Sequence, residues 1–247
     1  MYQFFVEDEQ VHDTYVTIEG ADVNHIRNVL RMRKGEKIRV SSRMGMGYFC
    51  EVDVITEQCV EAKILSVDET GTELSSKIYL YQGLPKSDKM ELIIQKAVEL
   101  GVYEVIPVAM KNCVVKLDEK KAASRVKRWQ GIAESAAKQS KRSLIPEVVQ
   151  PMSYKQALER AQDCDRILIP YENERGMLAT KEAVEAIEPG ESIAIFIGPE
   201  GGFAPEEITN VGEKAKLISL GKRILRTETA GLATLAILGY QLESKEG

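Results

Sequence analysis

The sequence predicts an α/β domain built on a parallel sheet, preceded by a small β-barrel or sandwich. Three observations carry this. Between residues 37 and 67 lie three short runs rich in Val and Ile with partial alternation, the pattern of half-buried strands. From Lys77 onward short apolar runs alternate with longer stretches of helical period, which suits parallel strands joined by crossover helices. Between the two styles sits the polar, turn-forming stretch Glu69 to Ser76, which divides the chain into 1–72 and 73–247.

In the first part a short helix is expected near Asp22 to Arg31, and strands at Lys37–Ser41, Tyr48–Ile55 and Val60–Val67. In the second, Lys77–Gln82 reads as a strand. Ser87 can cap a helix whose apolar residues fall at Met90, Ile93, Ile94, Ala97 and Val98, one face of a 3.6-residue period, with Gly101 as its stop. Val102–Val108 is the next strand, Ala122–Ser140 a long helix and Arg166–Pro170 a buried strand. Ile193–Ile197 and Leu217–Leu220 follow as further buried strands, each running into an irregular loop and then a helix. Pro205 at a first helical position, with Glu206 and Glu207 behind it, marks one helix start. Thr227 is a candidate N-cap for the last helix, through Ala233, Ile237 and Tyr240.

Composition excludes several classes. Of 247 residues 44% are apolar, an ordinary globular content, and no apolar run reaches the length that spans a bilayer. The N-terminus, MYQFFVEDEQ, is acidic where a signal peptide is basic, so cytoplasmic residence without membrane attachment is expected. Cys50, Cys59, Cys113 and Cys164 form no CxxC pair and only His12 and His25 could assist them, so no metal site is expected and the thiols read as small buried hydrophobes.

The net charge of −5 argues against nucleic acid until its distribution is examined. His25–Arg43 carries seven basic residues and one acidic; Lys111–Arg142 carries ten and three, so the remainder is strongly acidic. Segregation of this kind suggests two local surfaces for phosphate backbones. A solvated helix face is the alternative for Lys120–Arg128.

The two C-terminal strand-loop-helix junctions are the most informative segments. They read Ile197-Gly198-Pro199-Glu200-Gly201-Gly202-Phe203 and Leu220-Gly221-Lys222-Arg223-Ile224-Leu225-Arg226-Thr227-Glu228-Thr229-Ala230. They place two loops side by side at the carboxyl edge of the sheet, where open α/β folds bind ligands. Neither is a P-loop nor a dinucleotide fingerprint. Taken alone, Gly198–Gly202 could equally be a tight structural turn.

Together the two segments resemble the signature of the RsmE family within the SPOUT class of S-adenosylmethionine-dependent RNA methyltransferases. Gln95–Val102, Ala136–Arg142 (AAKQSKR) and His25–Arg31 fit the same family in collinear order. Lys138 stands where the family pattern has an acidic residue, and Ser41–Gly47 is a longer, Met-containing version of a short Gly turn. The resemblance implies a PUA-like RNA-binding barrel followed by a SPOUT domain with a C-terminal trefoil knot, and a homodimer. It implies methyl transfer to N3 of a uridine in small-subunit (16S) ribosomal RNA, as naked RNA or assembled subunit. Ribose 2′-O methylation and a non-catalytic RNA-binding assembly factor are the alternatives.

The same resemblance places the cofactor on backbone around Leu168 to Pro170, on Ile197, Gly198, Pro199, Glu200 and Gly201, and on Leu220, Gly221, Ile224, Leu225 and Thr229. Ile197, Leu220, Ile224 and Leu225 would give apolar contact to adenine. Uridine N3 carries a proton, so Glu200 or Glu228 is a candidate base and Arg226 an electrostatic stabiliser. A loop-securing salt bridge for Arg226 and helix-dipole stabilisation by Glu228 are the structural alternatives. Arg27, Arg31, Arg33 and Lys34 would grip phosphates from the barrel; Lys138, Lys141 and Arg142 would do so from the second basic stretch.

Overall fold

Apolar side chains at alternate positions give the N-terminal strands one dry face. In the computed structural model, β1 (Tyr2–Val6), β2 (Tyr15–Glu19), β3 (Lys37–Ser42), β4 (Gly47–Ile55) and β5 (Cys59–Asp68) form one sheet in the order β1-β3-β4-β5-β2. The β1–β3 pair is parallel and the other pairs are antiparallel. Its edge strands β1 and β2 come into contact, so the sheet curls. A short helix α1 (Ala21–Asn24), continuing as a π turn over His25–Val29, adds fully buried Ile26 to a core of Phe4, Val16, Ile18, Ile38, Val40 and Val60. Every residue is described except Met44, Thr70 and Gly247. Met44 of the Ser41–Gly47 turn, and Thr70 in the dividing stretch, therefore lie outside the described residues.

The chain divides into two compact units, and the division is not a single cut. The first unit holds Met1–Glu73 together with Ala137–Ile145; the second holds Leu74–Ala136 and Pro146–Gly247. The expectation of one uninterrupted C-terminal domain is therefore corrected at Ala137–Ile145. Buried polar groups explain why. Arg39, 5% exposed, pairs with Asp68 at 2.6 Å and donates to the Lys141 carbonyl at 2.6 Å and to Ser143 Oγ at 3.1 Å. Glu73 takes the Arg142 guanidinium and the Ser143 N–H. A buried cation without partners is costly, so these bonds fix the segment to its unit.

The second unit is a parallel sheet in the order β12-β10-β11-β6-β7-β8, built from β6 (Lys77–Gly83), β7 (Glu104–Ala109), β8 (Glu147–Val148), β10 (Arg166–Pro170), β11 (Ser192–Ile197) and β12 (Ala215–Ile218). A two-residue strand β9 (Met152–Ser153) pairs with β7 off this path. Central β6 and β11 are largely buried, and Tyr81 stacks on Phe196 with ring centroids 4.4 Å apart. Around the sheet lie α2 (Lys89–Glu99), α3 (Glu119–Ser140, whose end passes into the first unit), α4 (Tyr154–Ala161), α5 (Leu178–Glu185), α6 (Pro205–Thr209) and α7 (Thr227–Glu246).

Helix α2 buries Met90, Ile93, Ile94, Ala97 and Val98, the face its period requires, and Gly101 ends it at φ +87°. Ser87 does not cap it: Asp88 stands in that position and Ser87 sits at φ +56°. The last strand begins two residues before the expected Leu217 and ends before Leu220, which belongs to the loop. In α7 the buried stripe is Thr227, Gly231, Thr234, Leu235, Leu238 and Leu242, whereas Tyr240 is 76% exposed. Helix α7 is apolar on more than one face, so apolarity alone misplaced the stripe. Having left the edge strand β12, the chain returns in α7 to the middle of the sheet, where Gly231 lies against Leu80 and Ile197.

Candidate active site

Strands β12, β10 and β11 are neighbours and parallel, so their C-terminal loops rise at one edge. These loops are Tyr171–Met177, Gly198–Ala204 and Ser219–Arg226. Together they enclose a cavity of about 370 Å³, within the size range of small-molecule sites.

Close backbone approach shapes it. A Cβ on Gly83, at the end of β6, would stand 2.7 Å from the Pro199 nitrogen, so only glycine lets that loop pass. Thr227 Oγ1 donates to the Gly198 carbonyl at 2.6 Å and accepts from buried Gln82 Nε2 at 2.9 Å. Its hydroxyl therefore ties the loop after β12 to the loop after β11 rather than capping α7. The N-terminal turn of α7 is closed instead by the Arg226 carbonyl, which accepts from Thr229 N and Ala230 N. At the other end of the loop, Thr180 Oγ1 and Ser219 exchange two bonds of 2.9 Å.

Most residues assigned to the cofactor by resemblance meet here. Pro170, Ile197, Gly198, Pro199, Glu200, Leu220, Gly221, Ile224 and Leu225 line the cavity. Three do not. Leu168 is 1% exposed, inside β10 between Ile195 and Lys216. Gly201 is turned toward Asn112, whose Nδ2 donates to the Gly201 carbonyl at 3.0 Å. Thr229 lies on the exposed side of α7 and away from the lining.

The two carboxylates considered as bases are both committed to a lysine that sequence reasoning missed. Lys89, at the start of α2, reaches Glu200 Oε1 at 3.0 Å and Glu228 Oε2 at 3.2 Å. Glu200 also accepts from the Lys86 N–H at 3.1 Å. Burial pushes the Glu200 carboxyl up, but its own backbone N–H, the Lys89 ammonium and the Lys86 N–H outweigh it, and the group lies below the ordinary glutamate value. Lys89 is raised, by Glu200 first and then Glu228. A carboxylate held in this way is a weaker proton acceptor, and its bonds give Glu200 a structural role in the loop. Glu228 is tied by the same ammonium and does not line the cavity.

Arg226 does line the cavity, is exposed, and carries no ion pair among the described residues, so the loop-securing salt bridge is not formed. Tyr171, Glu172, Glu174 and Arg175 also face the cavity from the loop after β10. That loop carries no glycine pattern, so nothing local marked it; only its place after a buried strand did. Phe203 and Ser219 also belong to the wall.

In the first unit, Arg27 pairs with exposed Glu57 at 3.1 Å and Lys34 with Asp53. Arg31 and Arg33 are exposed and without an ion pair among the described residues. The second basic stretch is corrected in part. Arg142 is 3% exposed and forked on Glu73, and Lys138 pairs with Asp22 at 3.2 Å. Lys141 Nζ donates to the Lys138 carbonyl at 3.4 Å, and its own carbonyl serves Arg39. These cations serve internal partners rather than a phosphate grip. Among the described residues no cluster of His, Cys, Asp and Glu could hold a metal ion, and no helix is long and apolar enough to cross a membrane.

The cavity suits a cofactor with an apolar ring and polar edges. Ile197, Leu220, Ile224, Leu225 and Phe203 offer apolar surface. Among the described residues, the N–H groups of Lys222 to Leu225 donate to no main-chain carbonyl, leaving backbone donors unclaimed. Glu172 and Glu174 add negative charge at the rim.

Comparison with known proteins bears on this site. An RNA methyltransferase domain family matches residues 72–239, and an RNA methyltransferase PUA domain family matches residues 18–65. The chain is 38% identical to the ribosomal RNA small subunit methyltransferase E of Bacillus subtilis, over 100% of this chain and 99% of that one. Its counterpart in Mesomycoplasma hyopneumoniae is 34% identical over 95% and 97% of the two chains. The crystal structure of the Neisseria gonorrhoeae ribosomal RNA small subunit methyltransferase E, bound to S-adenosylmethionine, superposes with a TM-score of 0.82 at 33% identity, covering 97% of each chain.

Proposed function

Because the chain belongs to the ribosomal RNA small subunit methyltransferase E family, we propose that it methylates N3 of a uridine in small-subunit ribosomal RNA, using S-adenosylmethionine. The observation that supports this best is the three-loop cavity, which gathers nine of the twelve residues assigned to the cofactor, with the unpaired cation of Arg226 on its wall. Bound there, the cofactor supplies a methyl group already activated by a sulfonium. The protein's share is then alignment, which can contribute about 7–11 kcal/mol.

Ile197, Leu220, Ile224 and Leu225 hold the adenine ring, and the backbone of Gly198–Glu200 and Leu220–Leu225 holds its polar edges. Lys89 keeps the Glu200 loop and the start of α7 together. The N3 proton leaves to solvent first; the N3 lone pair would then take the methyl group as its bond to sulfur breaks, and the cofactor would depart as the neutral thioether. Arg226 stabilises the negative charge that the ring carries on O2 and O4 in that interval. Arg27, Arg31, Arg33 and Lys34 bind phosphates from the PUA-like unit. The trefoil knot and a homodimer complete this reading, as the resemblance implies; cytoplasmic residence follows from the ribosomal substrate.

Small subunits from a strain lacking the gene, labelled with S-adenosylmethionine and digested to nucleosides, should yield 3-methyluridine. A ribose-methylated nucleoside, or no label on subunits or naked RNA, would overturn the assignment. Arg226→Ala should lower kcat by about 10²–10³ with cofactor affinity retained, the loss typical of one stabilising group.

A further inference from the structure

The loop after β12 carries charge that the cofactor does not need. Gly221–Arg226 reads Gly-Lys-Arg-Ile-Leu-Arg, three cations and no acid. Lys222 and Arg223 are exposed, line the cavity mouth, and carry no ion pair among the described residues. Lys89 within the same wall, in contrast, is bound by two carboxylates. S-adenosylmethionine is itself a net cation, so exposed cations at the site do not favour its approach. The facing loop has the opposite sign: Glu172 and Glu174 outnumber Arg175 there. The mouth is thus polarised, one lip fit for a cationic ligand and the other for a polyanion.

The basic lip is also held firmly. Ser219 is bound twice to Thr180 before it, Thr227 is bound to Gly198 and Gln82 after it, and Gly221 turns the chain at φ +103°. Fixed ends lower the entropy lost when such a loop takes a partner.

We propose that Lys222 and Arg223 are an RNA-binding site: they grip the phosphates on either side of the nucleotide whose base enters the cavity. This rests on the methyltransferase reading and adds where the strand enters. Arg226, three residues on in the same wall, is left to meet the base, while Lys222 and Arg223 meet the backbone.

The test is the double variant Lys222→Ala/Arg223→Ala in the full-length protein. Binding of in vitro transcribed small-subunit ribosomal RNA is measured across a salt series, and S-adenosylmethionine binding by calorimetry. Each lost contact to single-stranded phosphate removes about 0.7 from the slope of log K against log salt, so the slope should fall by about 1.4. Near 0.15 M salt this amounts to roughly tenfold weaker RNA binding, with KM for RNA raised in proportion and cofactor affinity unchanged. Lys222→Arg/Arg223→Lys should restore the slope. An unchanged slope, in a variant that binds cofactor and methylates normally, refutes the RNA site and leaves the methyltransferase reading standing. Loss of cofactor affinity would assign the loop to the cofactor and refute it as well. A wild-type protein that binds no S-adenosylmethionine would remove the premise itself.

Discussion

Replacing Gly83 with alanine should both destabilise the protein and loosen its hold on the cofactor, for one steric reason. The new Cβ would stand 2.7 Å from the Pro199 nitrogen, 2.8 Å from Pro199 Cδ and 3.0 Å from the Ile197 carbonyl. Ordinary heavy-atom contacts lie near 3.5–4.0 Å, so the loop after β11 must retreat by about 0.8 Å or more. The obstruction is backbone and a proline ring, which cannot rotate aside. Overpacking of this kind costs about 1–3 kcal/mol, and the rigid neighbour puts Gly83 in the upper half of that range. A displacement approaching 1 Å in a positioning loop can lower turnover by about 10². Gly231→Ala is the matched control on the opposing helix. Its Cβ would meet Gln82 Oε1 and Ile197 Cγ1 at 3.5 Å, an ordinary contact, and alanine favours a helix by about 0.8–1.0 kcal/mol over glycine. Urea midpoints and calorimetric titration of S-adenosylmethionine on both variants decide the matter. If Gly83→Ala matches wild type in midpoint and affinity, or Gly231→Ala is the more damaging change, the close-approach argument is wrong.

Arg142→Ala should cost about 3 kcal/mol, because it strands Glu73 in a half-buried position, and Arg142→Lys should recover only part of it since Glu73 is met by a fork; denaturation midpoints check this. Glu200 sits below its unfolded value near 4.5, so its contribution is fully present above that pH and is lost as pH falls through the folded value. Stability of wild type should therefore decline below pH 4.5 more steeply than that of Glu200→Gln; parallel acid limbs would contradict it. Burial pushes the Cys50 thiol up to about 12 and the Cys164 thiol to about 11, and raises Cys113, while Cys59 is only half-buried. A thiol reagent at pH 8 should titrate Cys59 alone in the native protein, with the others reacting only on unfolding. Fast reaction of a second thiol would refute the burial assigned to it.

Legibility followed locality. Arg166–Pro170 and the buried face of α2 were readable because each depends on a run of neighbours with one period. Strand β1 escaped because Gln3 is buried in it, bound to the Arg142 carbonyl and Ser41 Oγ, which breaks the apolar alternation. The cavity's glycine loops announced themselves, but Lys89 did not. A lysine at a helix start has no sequence signal, and its partners Glu200 and Glu228 lie on loops from other strands. Charge counting failed at Arg142 for the same reason: composition records the cation and not the Glu73 carboxylate that neutralises it.

The interleaving of the two units sets an order of synthesis. When residue 73 has emerged from the ribosome, every strand of the first sheet exists, yet Arg39 and Gln3 still lack Ser143 Oγ and the carbonyls of Lys141 and Arg142. The first unit therefore lacks these bonds until the chain has been extended through Ile145. A fragment cut at residue 73 would expose those donors and fold poorly.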